Sequence, residues 1–151
     1  MLPRLYTQDQ RARRDATIWT PVQGILAPLQ FVVFLISAAL VGRYLLTGLG
    51  YEIATWSIIV KTALLFTIMV TGAIWEKVVF GQYLFAEAFF WEDVFSFLVI
   101  GLHLSYLWAL FDGWAPDVQM WIAVAAYVAY VINAGQFLLK LRAARLEGGA
   151  S

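Results

Sequence analysis

The sequence predicts an all-α integral membrane protein, a four-transmembrane-helix bundle with an interfacial or re-entrant segment between the second and third helices. Of its 151 residues, 62% are hydrophobic and 13% are charged, whereas about 25% of the residues of an ordinary soluble domain are charged. The mean hydropathy is +0.76, so this short chain has too few polar residues to cover a water-facing surface. Four apolar runs are long enough to cross a ~30 Å hydrocarbon core, which takes about 20 helical residues.

The predicted spans form a single membrane domain, residues 1–151. They cover residues 22–46, 53–75, 90–111 and 118–141. Turn-forming residues separate the first span from the second, at 47–50, and the third from the fourth, at 112–117. Residues 76–89 are too apolar for a solvated loop, which predicts a segment that lies in the membrane interface or re-enters the membrane.

The positions of Lys and Arg predict the orientation, because short cytoplasmic loops collect these residues. Four arginines lie among the first fifteen residues, Lys77 lies in the second connection, and Lys140 begins a basic stretch at the end of the last span. We therefore expect both tails, residues 1–20 and 142–151, to be cytoplasmic. The first fifteen residues have no apolar core of signal-peptide length, so we expect no cleavable signal.

Composition excludes several classes of function. Ten Lys and Arg residues balance ten Asp and Glu residues, so the chain lacks the net positive field that recruits nucleic acid. It has no cysteine, which excludes thiolate catalysis and Cys-ligated zinc or iron–sulfur sites. The remaining chemistry is acid/base work by carboxyl groups. In an apolar pocket a carboxyl group favours its neutral form, which can deliver a proton.

Polar residues of all four spans are predicted to meet toward the cytoplasmic edge, with Gln23 and Gln30 in the inner half of the first span. Glu76 ends the second span, Glu92 and Asp93 begin the third, and Asn133 and Gln136 lie near the inner end of the fourth. Placing an ionisable side chain in lipid costs at least ~2.5 kcal/mol at a helix centre, so we expect each such residue to have a structural or functional role. One such carboxylate alone could be an ordinary headgroup-level charge, but the cluster indicates a site.

Helical spacing places further polar side chains toward the bundle interior. Gln23, Gln30 and Ser37 are seven residues apart, a spacing that drifts only ~20° each time. Lys61 and His103 lie at similar distances from the outer ends of their spans, so we expect them at similar depth. A lone histidine on an apolar helix is more often a hydrogen-bond partner than a metal ligand, and Lys61 has two simpler roles, neutralising a carboxylate or extending to the surface.

Aromatic residues are concentrated beside the carboxyl groups, at Phe89, Phe90 and Trp91. They are more numerous than an interfacial aromatic belt requires. They indicate either a flat apolar wall for a large planar ligand or ordinary packing against lipid.

Distinctive blocks of sequence link the chain to a known family. These blocks are Trp19-Thr-Pro-Val-Gln-Gly24, Ile74-Trp-Glu-Lys-Val-Val-Phe-Gly81, Phe89-Phe-Trp-Glu-Asp-Val-Phe-Ser96 and Tyr130-Val-Ile-Asn133. Over nearly its whole length the chain resembles the 2-vinyl bacteriochlorophyllide hydratases, also called chlorophyllide a 3-vinyl hydratases. The resemblance implies addition of water to the 3-vinyl group of a chlorophyllide, giving a 3-(1-hydroxyethyl) side chain, in the photosynthetic inner membrane of a bacterium.

The resemblance also implies the partners of the chain. These are the chlorophyllide pigment and the lipid bilayer, with no nucleic acid, and we expect no cofactor beyond the magnesium that the pigment carries. The sequence leaves open whether the chain also associates with neighbouring enzymes of bacteriochlorophyll synthesis or with further copies of itself.

The family brings no established catalytic residue, so the predicted catalytic roles rest on this sequence. Vinyl hydration needs one acid and one group that positions water. We expect Glu92 or Glu76 to donate the proton, and Asp93, with Asn133 or Gln136, to orient the water.

The remaining predicted roles concern binding of the pigment. Phe89, Phe90 and Trp91 would form a wall for the ring. His103 is a candidate axial ligand of the pigment magnesium, and Lys77 or Lys140 is a candidate partner of the propionate.

Two other functions compete with hydration. A non-catalytic pigment-binding or assembly protein needs the aromatic wall and His103 but tolerates amides at Glu76 and Glu92. A proton-coupled carrier would use Lys61, His103 and the carboxylates as a relay, but the sequence has no pair of Gly- or Pro-broken helices that marks a midplane site.

Overall fold

The chain folds into a bundle of long helices. The computed structural model describes residues 5–150, with side chains through residue 146, and this part of the chain contains no strand. Four of its helices are long and apolar enough to span a membrane, which confirms the predicted fold class. The elements are α1 (Gln8–Ala16), α2 (Trp19–Thr47), α3 (Tyr51–Phe80), a single 3₁₀ turn (Glu87–Phe89), α4 (Phe90–Phe111) and α5 (Pro116–Ala150).

The helices extend beyond the predicted spans. Helix α3 continues to Phe80, so Glu76 and Lys77 lie in its last turns and not in the connection that follows. It ends where Gly81 adopts a φ of 87° and its N–H bonds to the Lys77 carbonyl, a left-handed conformation that favours glycine. Helix α5 begins at Pro116 and runs past residue 141 through the predicted tail. Residues 1–4 and 151 of the predicted tails lie outside the described residues.

The four long helices form two antiparallel hairpins, α2 with α3 and α4 with α5. Each hairpin packs most extensively within itself, and α2 against α5 and α3 against α4 close the ring. Within the first hairpin, Gln23 Nε2 donates to Thr71 Oγ1 at 2.5 Å. Between the hairpins, Ser37 Oγ bonds to the Tyr127 hydroxyl at 2.6 Å, and the Phe34 ring packs against Tyr127 and Tyr130.

We call the end of the bundle that holds Glu76, Glu92 and Asp93 the carboxylate end. There the short helix α1 docks on α3. The Arg13 guanidinium donates to the Val79 carbonyl from Nε at 3.0 Å and from Nη2 at 2.8 Å. The Tyr6 ring stacks on Phe80 with centroids 5.8 Å apart. Arg13 therefore satisfies a carbonyl that the end of an α-helix leaves without an intrahelical partner.

Replacing Arg13 tests this docking. We expect Arg13→Met to lower the free energy of unfolding in detergent by about 1 kcal/mol, because the Val79 carbonyl loses a charged donor. Arg11→Met on the same helix is the matched control, and its effect should stay within about 0.5 kcal/mol. Equal effects of the two substitutions in thermal or denaturant unfolding would contradict the role given to Arg13.

Candidate active site

Two carboxyl groups face each other across the boundary between the hairpins. Glu76 near the end of α3 and Asp93 in the first turn of α4 are 4% and 5% exposed, and the two carboxyl groups interact directly with each other. Two ionised carboxylates have no proton to donate, so this contact is a hydrogen bond only when one of the two carries a proton. The pair is therefore built to hold a proton between α3 and α4.

The segment between α3 and α4 closes over this pair. The Phe85 N–H donates to Asp93 Oδ2 at 3.0 Å, and the Ala86 N–H donates to Glu76 Oε2 at 3.4 Å. Phe85 has a φ of 61°, which is an uncommon conformation for a bulky residue. This strained turn directs two consecutive amide groups at the two carboxyl groups and covers them.

Glu92 lies one position before Asp93 but has a different partner. Its Oε1 is 2.9 Å from Lys140 Nζ on α5, and the same nitrogen donates to the Ala88 carbonyl at 2.8 Å. Glu92 and Lys140 thus form an ion pair. Glu76 and Asp93, in contrast, have no cationic partner among the described residues.

The two predicted amides on α5 form a chain of hydrogen bonds that ends on the backbone of α4. Asn133 Nδ2 donates to the Glu92 carbonyl and to Gln136 Oε1, each at 3.1 Å. The single hydroxyl hydrogen of Ser96 is shared between two acceptors, Asn133 Oδ1 at 3.0 Å and the Glu92 carbonyl at 2.8 Å. Ser96 was not among the predicted site residues, although it lies four residues after Glu92 and therefore on the same face of α4.

The three predicted wall residues point in different directions. Phe89 is buried, and its ring packs against Trp75, Phe80 and Phe137 at centroid distances of 5.6–5.8 Å. Phe90 and Trp91 are 41% and 74% exposed on the outer surface. Successive residues of a helix point about 100° apart, so three consecutive positions cannot line one wall, and only Phe89 lies inside the bundle.

Lys61 and His103 meet in the middle of the bundle, as their positions predicted. Both are fully buried. His103 Nδ1 lies 2.8 Å from the Val99 carbonyl and so carries the hydrogen, which leaves Nε2 as the acceptor for Lys61 Nζ at 3.2 Å. The Lys61 nitrogen also lies 3.7 Å from the centre of the Tyr130 ring, a cation–π contact. Lys61 therefore contacts neither a carboxylate among the described residues nor the surface, and a magnesium ligand at Nε2 would have to displace it.

The two lysines predicted to bind a propionate differ in accessibility. Lys77 is exposed and donates to the Gly81 carbonyl at 2.9 Å, whereas Lys140 is engaged by Glu92. Within the described residues, no group of three or more His, Asp or Glu side chains is placed to hold a metal ion.

Comparisons with known proteins cover almost the whole chain. The family model for 2-vinyl bacteriochlorophyllide hydratase matches residues 6–143. The 2-vinyl bacteriochlorophyllide hydratase of Cereibacter sphaeroides is 74% identical over 144 residues, which cover 95% of this chain and 90% of that protein. The Rhodobacter capsulatus protein of the same name is 70% identical over 146 residues, 97% of this chain and 85% of that protein. No solved structure matches the chain significantly.

A double-mutant cycle tests the Lys61–His103 contact. We expect His103→Leu to lower the free energy of unfolding by about 2 kcal/mol, because it leaves the buried Lys61 nitrogen without its acceptor. Adding Lys61→Met should recover most of that loss, since the pair is then replaced by apolar side chains. If the two substitutions are simply additive in thermal unfolding, the contact does not contribute to stability.

Proposed function

The chain belongs to the 2-vinyl bacteriochlorophyllide hydratase family, and on that premise we propose the reaction that its carboxyl groups carry out. The chain is a hydratase of bacteriochlorophyll synthesis. In the proposed reaction it adds water across the 3-vinyl group of chlorophyllide a, or of a related bacteriochlorophyllide, to give the 3-(1-hydroxyethyl) product. In this proposal it acts as a hydro-lyase and needs no cofactor beyond the magnesium that its substrate carries.

Hydration of a vinyl group on a conjugated ring requires a proton before it requires water. A proton added to the terminal carbon leaves a cation at the inner carbon, which the macrocycle can delocalise. Water then adds to that carbon and gives up one proton, so the net change is one molecule of water gained. The protein must supply an acid that is protonated in an apolar setting and a group that positions the water.

The Glu76–Asp93 pair is the proton donor in this proposal, and the contact between its two carboxyl groups is the observation that carries it. A pair that shares a proton has one to deliver and afterwards accepts one back. Glu92 is engaged by Lys140 at 2.9 Å and is therefore the weaker candidate. In the proposed mechanism, Asn133 and Gln136 orient the water, and Ser96 holds Asn133 in place.

Substrate must reach a pair that the protein covers. Because the Phe85 and Ala86 amides occupy both carboxyl groups, we propose that residues 81–86 move aside when the pigment binds. Phe89 then contacts the ring from within the bundle, and the exposed Lys77 binds the propionate at the membrane surface. His103 stays paired with Lys61 in this arrangement, and the magnesium is bound without it.

The carboxylate end faces the cytoplasm in this proposal. Arg11, Arg13 and Arg14 of α1 and Arg142 and Arg145 of α5 lie at that end, and basic residues are retained on the cytoplasmic side. The protein would then lie in the bacterial inner membrane with both termini inside. Its pigment would meet the site at the cytoplasmic interface.

Isosteric amides at the carboxyl pair test the proposed function. We expect Glu76→Gln and Asp93→Asn each to lower the rate of hydration by about 100-fold or more, because neither variant can share a proton between two carboxyl groups. Glu87→Gln, at an exposed carboxylate of the same region, is the matched control and should keep its rate. The assay follows membranes from a host without chlorophyll, incubated with chlorophyllide a, for a mass gain of one water and a blue-shifted red band.

Two results would contradict this proposal. Hydration at the wild-type rate by Glu76→Gln would remove the pair from the mechanism. Pigment retained unchanged by the folded wild-type protein would favour a pigment-binding role in place of catalysis.

A further inference from the structure

One buried amide of the bundle has no hydrogen-bond partner. Gln30 on α2 is 3% exposed, and no group among the described residues bonds to its Oε1. We propose that Gln30 is a positioning residue that accepts a hydrogen bond from the water co-substrate and from the hydroxyl group of the product. This inference rests on the proposed hydration and adds a residue that the acid/base chemistry did not identify.

The lack of a partner sets Gln30 apart from comparable amides. Gln23, seven residues earlier on the same helix, donates to Thr71. Asn133 and Gln119, which are equally buried, each form hydrogen bonds to side chains and backbone. In a membrane-spanning helix, water from the bilayer cannot satisfy an amide. A buried amide oxygen with no partner among the described residues is therefore suited to a polar ligand that enters the bundle.

The register of the helices places Gln30 next to the candidate site. Phe34 contacts Tyr130, and α2 and α5 are antiparallel. Gln30 lies one turn from Phe34 toward the carboxylate end, and Asn133 lies about one turn from Tyr130 in the same direction. Gln30 and Asn133 are therefore at the same level. Both belong to the buried faces of their helices.

The distance to the carboxyl pair suits a vinyl group and one water molecule. Ser96, which bonds to Asn133, lies three residues after Asp93, or about 4.5 Å along the axis. Gln30 on α2 and Glu76 on α3 belong to neighbouring helices, whose axes are about 8–10 Å apart. The reacting groups would lie in a line, with the acid oxygen at one end, then the two vinyl carbons, the water oxygen and the amide oxygen. From the acid oxygen to the amide oxygen this line is about 10 Å long. The acid and Gln30 can thus lie at opposite ends of the reacting group.

The chemistry of the free atom selects the ligand. An amide oxygen only accepts hydrogen bonds, so its ligand must be a donor. The vinyl group has no polar hydrogen, the four ring nitrogens of the pigment bind magnesium and carry none, and an ionised propionate has none. The water that adds and the hydroxyl group that results are the donors of this reaction.

Two substitutions on one helix separate this role from a structural one. We expect Gln30→Met to lower the rate of hydration about tenfold while leaving the melting temperature unchanged or raised, because it removes a buried polar atom that bonds to nothing in the fold. Gln23→Met should do the reverse. It loses the bond to Thr71, so its melting temperature should fall by a few degrees while its rate per folded protein is kept.

Pigment binding supplies a second readout that does not need turnover. Gln30→Met should weaken binding of the 3-(1-hydroxyethyl) pigment about tenfold and leave binding of the 3-vinyl pigment within about twofold. Wild-type hydration by Gln30→Met, equal loss of both pigments, or a melting temperature that falls as in Gln23→Met would each overturn the inference. If the wild-type protein binds both pigments but hydrates neither, the proposed function fails, and the difference between the two pigments still decides the role of Gln30.

Discussion

The structure depends on one constraint, that polar groups inside a membrane-spanning bundle must find their partners within the protein. Lipid offers no hydrogen bonds, so several buried polar side chains bond across to a neighbouring helix and fix the position of the helix that carries them. The Lys61–His103 contact fixes the height of α3 against α4, and the Ser37–Tyr127 bond fixes α2 against α5. With those registers set, the carboxyl groups of α3 and α4 meet near the membrane surface. The pairing of polar groups thus determines where the site lies.

Apolar length and helical period were enough to predict most of this arrangement. The four spans follow from runs that lipid alone can solvate. The interior positions of Gln30 and Ser37 and the meeting of Lys61 with His103 follow from angles and depths that an α-helix fixes. The meeting of Glu76 with Asp93 follows from their places at the ends of adjacent spans. These features could be predicted because each depends only on distance along one helix.

Other features depend on the fit between helices, which periodicity does not contain. Phe90 and Trp91 resemble Phe89 in sequence, yet the point at which the 3₁₀ turn becomes α4 decides which ring faces inward. The sequence allowed Lys140 to bind either the pigment or another residue of the protein. Its ion pair with Glu92 depends on how α4 packs on α5, which the sequence pattern does not show. Helix α1 was not predicted, because its nine residues contain no large apolar side chain and so show no helical period, although Thr7 and Gln10 form a capping box at its start.

The division of the bundle into two hairpins also governs its biogenesis. Glu76 and Asp93, Lys61 and His103, and Ser37 and Tyr127 each have one member in either hairpin. A hairpin inserted alone would therefore expose its half of every pair to lipid, where such groups are costly. One of these pairs, Glu76 with Asp93, is also the candidate catalytic centre. The proposed proton donor therefore exists only when the two hairpins are packed together, because each hairpin carries one of its two carboxyl groups.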